Sequence, residues 1–308
     1  MKALSIIQPN IKIKKRKKKI YHNDAFKNDM TYILGARCRD GVVLVGDTKV
    51  TVGGGTDFQY AKKIVFPLGN VVMCSAGASG LYKTFQDRII TAIIQMERED
   101  AEYAYQNDMR RIPSIISDEE FYTLVSRVIR QMHIEFNEDR YMIAYNLMIL
   151  CASRIGKPDA QLIAFTGEGI PEPVNNYMVI GHGEPYGSIF LKKLWKKNMT
   201  MQQTAKLGVF ILKYIQDMHL DSSVCFNNEY LPQVVFIPNI RLPNDFPVKS
   251  AFDCDEEEYD EIRVKYAQLQ DQYPINELSE DDVRDIINQV GSKVADFNHF
   301  LTNGQFKL

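Results

Sequence analysis

Thr31 stands where the chain changes character. A basic leader with I-K-I-K-K-R-K-K-K-I at 11–20 precedes it, and M-T-Y-I-L-G-A-R-C-R-D-G-V-V-L-V-G-D at 30–47 begins a long stretch that reads as folded. A threonine hydroxyl is a weak nucleophile and needs a base. At a chain start the residue's own α-amine lies close by, with an ordinary pKa of about 8. It can take the hydroxyl proton directly or through one water. A lysine beside it would favour the neutral amine, and a buried aspartate would hold that lysine charged and in place. A glycine N–H allows an oxyanion to approach closely. Thr31, Lys63, Asp47 and Gly77 can fill these four roles. Each also has a plainer reading. Thr31 would be a strand residue, Asp47 and Gly77 turn residues, and Lys63 half of a solvated pair with Lys62.

Elements must position such a set. Residues 31–39 and 42–47 alternate or run apolar around Asp40-Gly41, the pattern of a hairpin. Gly53-Gly54-Gly55 marks a flexible turn, and 63–67 with 70–76 predict a second strand pair. The period then becomes helical through Leu81, Phe85, Ile89, Ile93 and Met96. Ser117 and Glu120 form a capping box for a second helix with Phe121, Leu124, Val125, Val128, Met132 and Phe136 on its apolar face. Strands at 143–153, 159–166 and 176–181, helices at 184–197 and 200–218, and a strand at 233–237 complete the body. Strands, two helices, strands, two helices and a strand predict an α/β (α+β) fold of four layers. In this α/β/β/α sandwich two sheets pack face to face and a helix pair covers each outer side. The boundaries read as a basic leader over 1–30, disordered or removed, a body over 31–239, and an acidic linker with C-terminal helices over 240–308. In that last part Ser279 and Asp282 open an amphipathic helix whose stripe runs from Val283 to Leu301. The stripe needs a partner, either its own domain or a neighbouring subunit.

Composition narrows the classes. The chain has 308 residues, 45% hydrophobic and 25% charged, with a net charge of −2, which argues against a generally basic nucleic-acid-coating protein. Its five cysteines are scattered and form no CxxC, which speaks against a disulfide framework or zinc site and for a reducing, cytoplasmic setting. No apolar run approaches about 20 residues, so no membrane span is expected. The leader has no apolar core beside its basic run and is not a secretory signal.

Thr31, Gly35, Asp40-Gly41-Val42-Val43, Asp47, Lys49, Thr51, Lys62-Lys63 and Ser75-Ala76-Gly77 together resemble the opening of a proteasome β-type subunit, an N-terminal-nucleophile hydrolase. The resemblance covers about 31–238. It implies the four-layer fold of that superfamily, a threonine nucleophile, no cofactor and no metal. It also implies a homo- or hetero-oligomeric ring with other proteasome-like subunits, acting on polypeptides. By the same resemblance Ser75, with Val50 and Ala61 near it, would line a roomy side-chain pocket.

The second half departs from the pattern. Catalytic subunits of the family carry G-S-G after a strand and D-x-x-S-G after a later helix. Here the first reads Gly181-His182-Gly183 and the second lies in Met218-His219-Leu220-Asp221-Ser222-Ser223. Without gaps, His182 and His219 replace two helper residues, Ser222 keeps the later serine, and Ser223 replaces a glycine. A short shift would bring Asp221 or Asp217 into the helper position. Alternatively, the two histidines build another proton network, or the site has decayed. A metal site from His182, His219 and an aspartate lacks metal-motif spacing.

Family precursors usually carry glycine before the threonine, whereas this chain has Met30. Translation from Met30 followed by its trimming, cleavage of 1–29 as a propeptide, or retention of a basic tail are the three readings of the leader. Three functions follow. The first is a threonine endopeptidase subunit working through an acyl-enzyme on Thr31. The others are a catalytically inactive structural subunit of a similar assembly, and a small-molecule amidohydrolase of the same superfamily.

Overall fold

In the computed structural model, residues 31–52, 57–77, 79–106, 118–135, 147–155, 157–244, 246 and 256–303 are described. The leader, Met30, the triple glycine, Ser117, Phe136 and residues 143–146 fall outside them, and so do the expectations that rest on those positions.

The first sheet grows from the expected hairpin. Strand β1 (Ile33–Cys38) returns as β2 (Gly41–Gly46), with Ile33 opposite Gly46 and Cys38 opposite Gly41. A second hairpin, β3 (Lys49–Val52) and β4 (Asp57–Tyr60), flanks the glycine run. It was not foreseen, because each arm is only four residues long. Strands β5 (Ile64–Leu68) and β6 (Val71–Gly77) start the second sheet. Helices α1 (Ser79–Gln106) and α2 (Asp118–Glu135) follow. Strands β7 (Leu147–Ser153), β8 (Gln161–Phe165) and β9 (Pro171–Pro173) complete that sheet in the order β5-β6-β7-β8-β9. Strand β10 (Tyr177–Ile180) crosses back to β1. Helices α3 (Glu184–Leu194) and α4 (Met201–Asp217) lead to β11 (Gln233–Pro238) beside β2. Thr200 and Gln203 form a reciprocal capping box at the start of α4.

Alternation along the strands makes three apolar layers. Ile33, Val42, Leu44, Val72, Cys74, Leu150, Leu162 and Val235 meet between the sheets. Val71, Met73 and Ile149 face α1 and α2. Leu34, Val43, Val45 and Val234 face α3 and α4. The result is the four-layer α/β/β/α sandwich.

The C-terminal part packs on this body. Helix α5 (Glu256–Gln272), hidden in the sequence behind an acidic run, is followed by the two-residue strand β12 (Asn276–Glu277) and α6 (Glu280–Asn303). Strand β12 extends the first sheet beyond β11, giving the order β10-β1-β2-β11-β12. The buried Arg154 donates to Pro238 O at 2.8 Å, and the Gln270 amide donates to Arg154 O at 3.2 Å, tying α5 to the end of β7. On α6, Val283, Ile286, Val290 and Val294 are buried and join the cluster containing Phe190, Phe210 and Tyr214. The amphipathic stripe therefore finds its partner on its own domain. At about 2 kcal/mol per buried aliphatic side chain, four such residues are worth roughly as much as a domain's whole stability. A chain ending at residue 244 is therefore expected to be recovered insoluble or molten. A sharp, cooperative melt of that truncation within about 5 °C of the full chain would contradict this.

Candidate active site

Thr31 enters the first sheet two residues before Ile33, on the face that looks between the sheets. Asp47 directly follows β2. Because β1 and β2 are antiparallel, their ends bring the two residues side by side, and the Asp47 N–H donates to Tyr32 O at 3.0 Å. Lys63 immediately precedes β5. Thr31, Asp47 and Lys63 are all buried, at 4%, 0% and 6% exposure. Lys63 Nζ lies 3.0 Å from Thr31 Oγ1 and 2.9 and 3.0 Å from the two Asp47 oxygens. The Tyr32 N–H adds a third hydrogen bond to the Asp47 carboxylate at 2.8 Å.

Burial raises the Asp47 pKa to about 6, against the opposing pull of the Lys63 charge and of the N–H groups it accepts. Near neutral pH Asp47 is thus a carboxylate, and Lys63 Nζ, held by it, donates to the threonine oxygen. That donor stabilises developing negative charge on Oγ1. A Lys63 ammonium cannot also be the base, so the Oγ1 proton has to leave to another group.

Gly77 ends β6 with φ 124°, opposite Leu147. The register that sets Ile64 opposite Cys74 carries Gly77 to the same end of the second sheet as Lys63. Ser75 is buried but alternates onto the face shared with Val71 and Met73, which packs on α1 and α2. Val50 is half-buried on β3 opposite Gln59, and Ala61 is exposed just after β4.

The Gly181-His182-Gly183 element passes directly over Thr31. Gly183 N–H donates to Thr31 O at 3.1 Å, and Gly181 has φ 94°. A β-carbon on Gly181 would collide with the Thr31 carbonyl, and one on Gly183 would sit 2.8 Å from Tyr32 Cβ. Both glycines are required by this close approach, while His182 between them is exposed. His219 is also exposed and has φ 49°. Its N–H donates to Gln216 O at 3.1 Å and that of Leu220 to Ile215 O at 3.1 Å, the paired bonds of a Schellman cap. His219 thus stops α4. Asp221 Oδ1 accepts from the Ser223 N–H at 3.0 Å and from its hydroxyl. Ser222 is exposed, and its carbonyl accepts from Lys49 Nζ at 2.6 Å. Tyr230 stacks on Tyr60 with ring centroids 4.8 Å apart, so this loop is fastened to the β3–β4 hairpin.

One participant had no sequence signal. Gln233, the first residue of β11, is buried and accepts from the N–H of Lys63 and of Ile64 at 2.5 and 2.9 Å. In the sequence it reads only as the polar end of an apolar strand. Among the described residues, no group of three or more His, Cys, Asp or Glu is placed to hold a metal ion, and no helix is long and apolar enough to cross a membrane.

Comparison with known proteins fits this geometry. Among solved structures, Anbu (ancestral beta-subunit) from Yersinia bercovieri superposes with a TM-score of 0.59 at 15% identity, covering 90% of this chain and 100% of that one. Anbu from Hyphomicrobium sp. strain MC1 gives 0.55 at 16% identity with the same coverage. At such identities the likeness establishes the fold alone, the four-layer sandwich described above. A comparison with curated proteins gives no match. The family described as Proteasome subunit matches residues 30–227, well over half of the sequence, and the chain belongs to that family.

Proposed function

We propose that the protein is a threonine endopeptidase subunit of proteasome type, with residues 31–239 as its hydrolase domain. The observation that carries this is the buried Thr31–Lys63–Asp47 arrangement, with Lys63 Nζ 3.0 Å from the threonine oxygen. In this reading a chain starting at Thr31 attacks a peptide carbonyl through Oγ1. The α-amine takes the hydroxyl proton, directly or through one water, and passes it to the leaving amine. The Gly77 N–H receives the oxyanion, and water then hydrolyses the Thr31 ester and restores the hydroxyl. Asp47 keeps Lys63 charged throughout, and Lys63 holds Oγ1. Polypeptide is the substrate class, and the cell interior and a ring with other proteasome-like subunits are the setting.

A second reading, an inactive structural subunit on the same fold, is favoured by His182, exposed between the two glycines where the family carries a serine. Intact mass, N-terminal sequencing and labelling with a peptidyl β-lactone separate the two. The hydrolase requires a mature chain beginning at Thr31 that gains one probe mass on its N-terminal peptide. Thr31→Ala gains none. A mature chain beginning at Met1 or Met30, with no label, makes the structural subunit the correct reading.

A further inference from the structure

We infer that Gln233, braced by Glu277 of the C-terminal part, is a positioning residue that sets Lys63 against Thr31; this rests on the hydrolase reading above. Lys63 lies just outside β5, so no strand ladder holds its backbone. Its N–H instead donates to Gln233 Oε1 at 2.5 Å, and the neighbouring Ile64 N–H donates to the same oxygen at 2.9 Å. Gln233 Nε2 donates to Ile64 O and to Glu277 Oε1, each at 3.2 Å. All four hydrogen-bonding positions of the amide are used. Its orientation is also unambiguous, because a reversed amide would aim its NH₂ at two backbone N–H donors. From the other side, the Tyr82 hydroxyl of α1 donates to Lys63 O at 3.2 Å.

Glu277 reaches this network because β12 pairs with β11, setting Val235 opposite Glu277. Its carboxylate also takes Lys62 Nζ, with both oxygens at 3.0 Å. Residues 62, 63 and 64 are therefore all fixed by one side-chain pair, half of which comes from beyond the linker. Gln233 has room to do this because its neighbour across β2 is Gly46, in the residue row that also contains Ile33 of β1. The C-terminal part, which the family match at 30–227 does not reach, thereby helps to complete the site.

A side chain that fixes the lysine's backbone should affect the reaction rate and leave substrate binding alone. The test is saturation kinetics of Thr31 labelling by a peptidyl β-lactone in the full mature chain, with amide exchange of Lys63 and Ile64 as a second readout. Gln233→Leu keeps the volume and removes the hydrogen bonds. It is expected to lower the maximal labelling rate roughly 10- to 100-fold, with the half-saturating concentration within about twofold. The Lys63 and Ile64 amides lose protection. Glu277→Leu leaves Gln233 in place and carries the test should Gln233→Leu fail to fold. Its rate is expected to fall roughly three- to tenfold. Glu277→Gln retains the acceptor and recovers most of the rate. A wild-type chain that does not label overturns the hydrolase reading, and the positioning role with it. A wild type that labels, with both leucine variants labelling at its rate or altered only in half-saturation, overturns the positioning role alone.

Discussion

Lys63→Met is expected to slow acylation of Thr31 roughly 10³-fold and to destabilise the fold strongly at pH 8. Two losses combine. Oγ1 loses the ammonium that sits 3.0 Å away, and Asp47, completely buried, loses the charged partner 2.9 Å from its carboxylate. Leaving a buried charge without its partner costs about 3–5 kcal/mol. The pH dependence has a definite sign. Burial raises the folded-state pKa of Asp47 to about 6 from 3.8, so the folded chain holds this proton more tightly than the unfolded one. Stability from this group is therefore fully present below about pH 4 and falls as pH rises to about 6. In Lys63→Met the lowering influence of the lysine disappears, and the window extends above 6. Chemical denaturation at both pH values should find the variant far less stable than wild type at pH 8 and close to it at pH 5. Asp47→Asn/Lys63→Met should recover most of the pH 8 deficit while remaining inactive. In the wild type, labelling of Thr31 should fall as pH drops through about 6, where Asp47 takes a proton. A deficit equal at the two pH values would show that Asp47 is not charged in the folded protein.

How far this site could be read from the sequence depended on what fixed each part. Thr31, Asp47 and Lys63 lie in the first third of the chain at strand ends, and the hairpin at Asp40 set the placement of Thr31 against Asp47. Strand ends allowed the placement, but the choice of these residues over their plainer readings came from the resemblance to the family. The four-layer order was legible for the same reason, since long apolar runs change period where the elements change. The second half was harder. A gapless reading of 218–223 treated His219 as a substituted helper, whereas the structure uses it as the left-handed stop of α4. Nothing in the residue type announces that role, because glycine is the usual occupant. Gln233 was illegible because its partners lie 170 and 169 residues away in the chain. Strand β12 was missed because two residues carry no period. Helix α5 could not be bounded within the expected C-terminal helices because its apolar positions are sparse among charges, and only packing against the body gives it a face.

Gly181→Ala is the substitution expected to separate the two glycines of this element from the histidine between them. At φ 94° an alanine is strained, at about 1–3 kcal/mol. Its β-carbon would also collide with the Thr31 carbonyl oxygen, lying 2.7 Å from the carbonyl carbon and 3.1 Å from Thr31 Cβ. The carbonyl oxygen and carbon are backbone atoms at the entry to β1, and they cannot swing aside as a flexible side chain can. Relief has to come from moving either Thr31 or the 181–183 turn, and either movement breaks the 3.1 Å bond from Gly183 N–H to Thr31 O. Overpacking of this kind costs a further 1–3 kcal/mol or so. A displacement of about 1 Å at the nucleophile is enough for a 10²-fold loss of rate. Gly181→Ala should therefore melt well below wild type and label at Thr31 at least about 100-fold more slowly. His182→Ala, one residue on and exposed, should change stability by less than about 0.5 kcal/mol. Its labelling rate then isolates the one remaining question about that side chain. A rate near wild type makes the element a glycine-built backbone cradle for Thr31. A large loss at unchanged stability makes His182 part of the proton path.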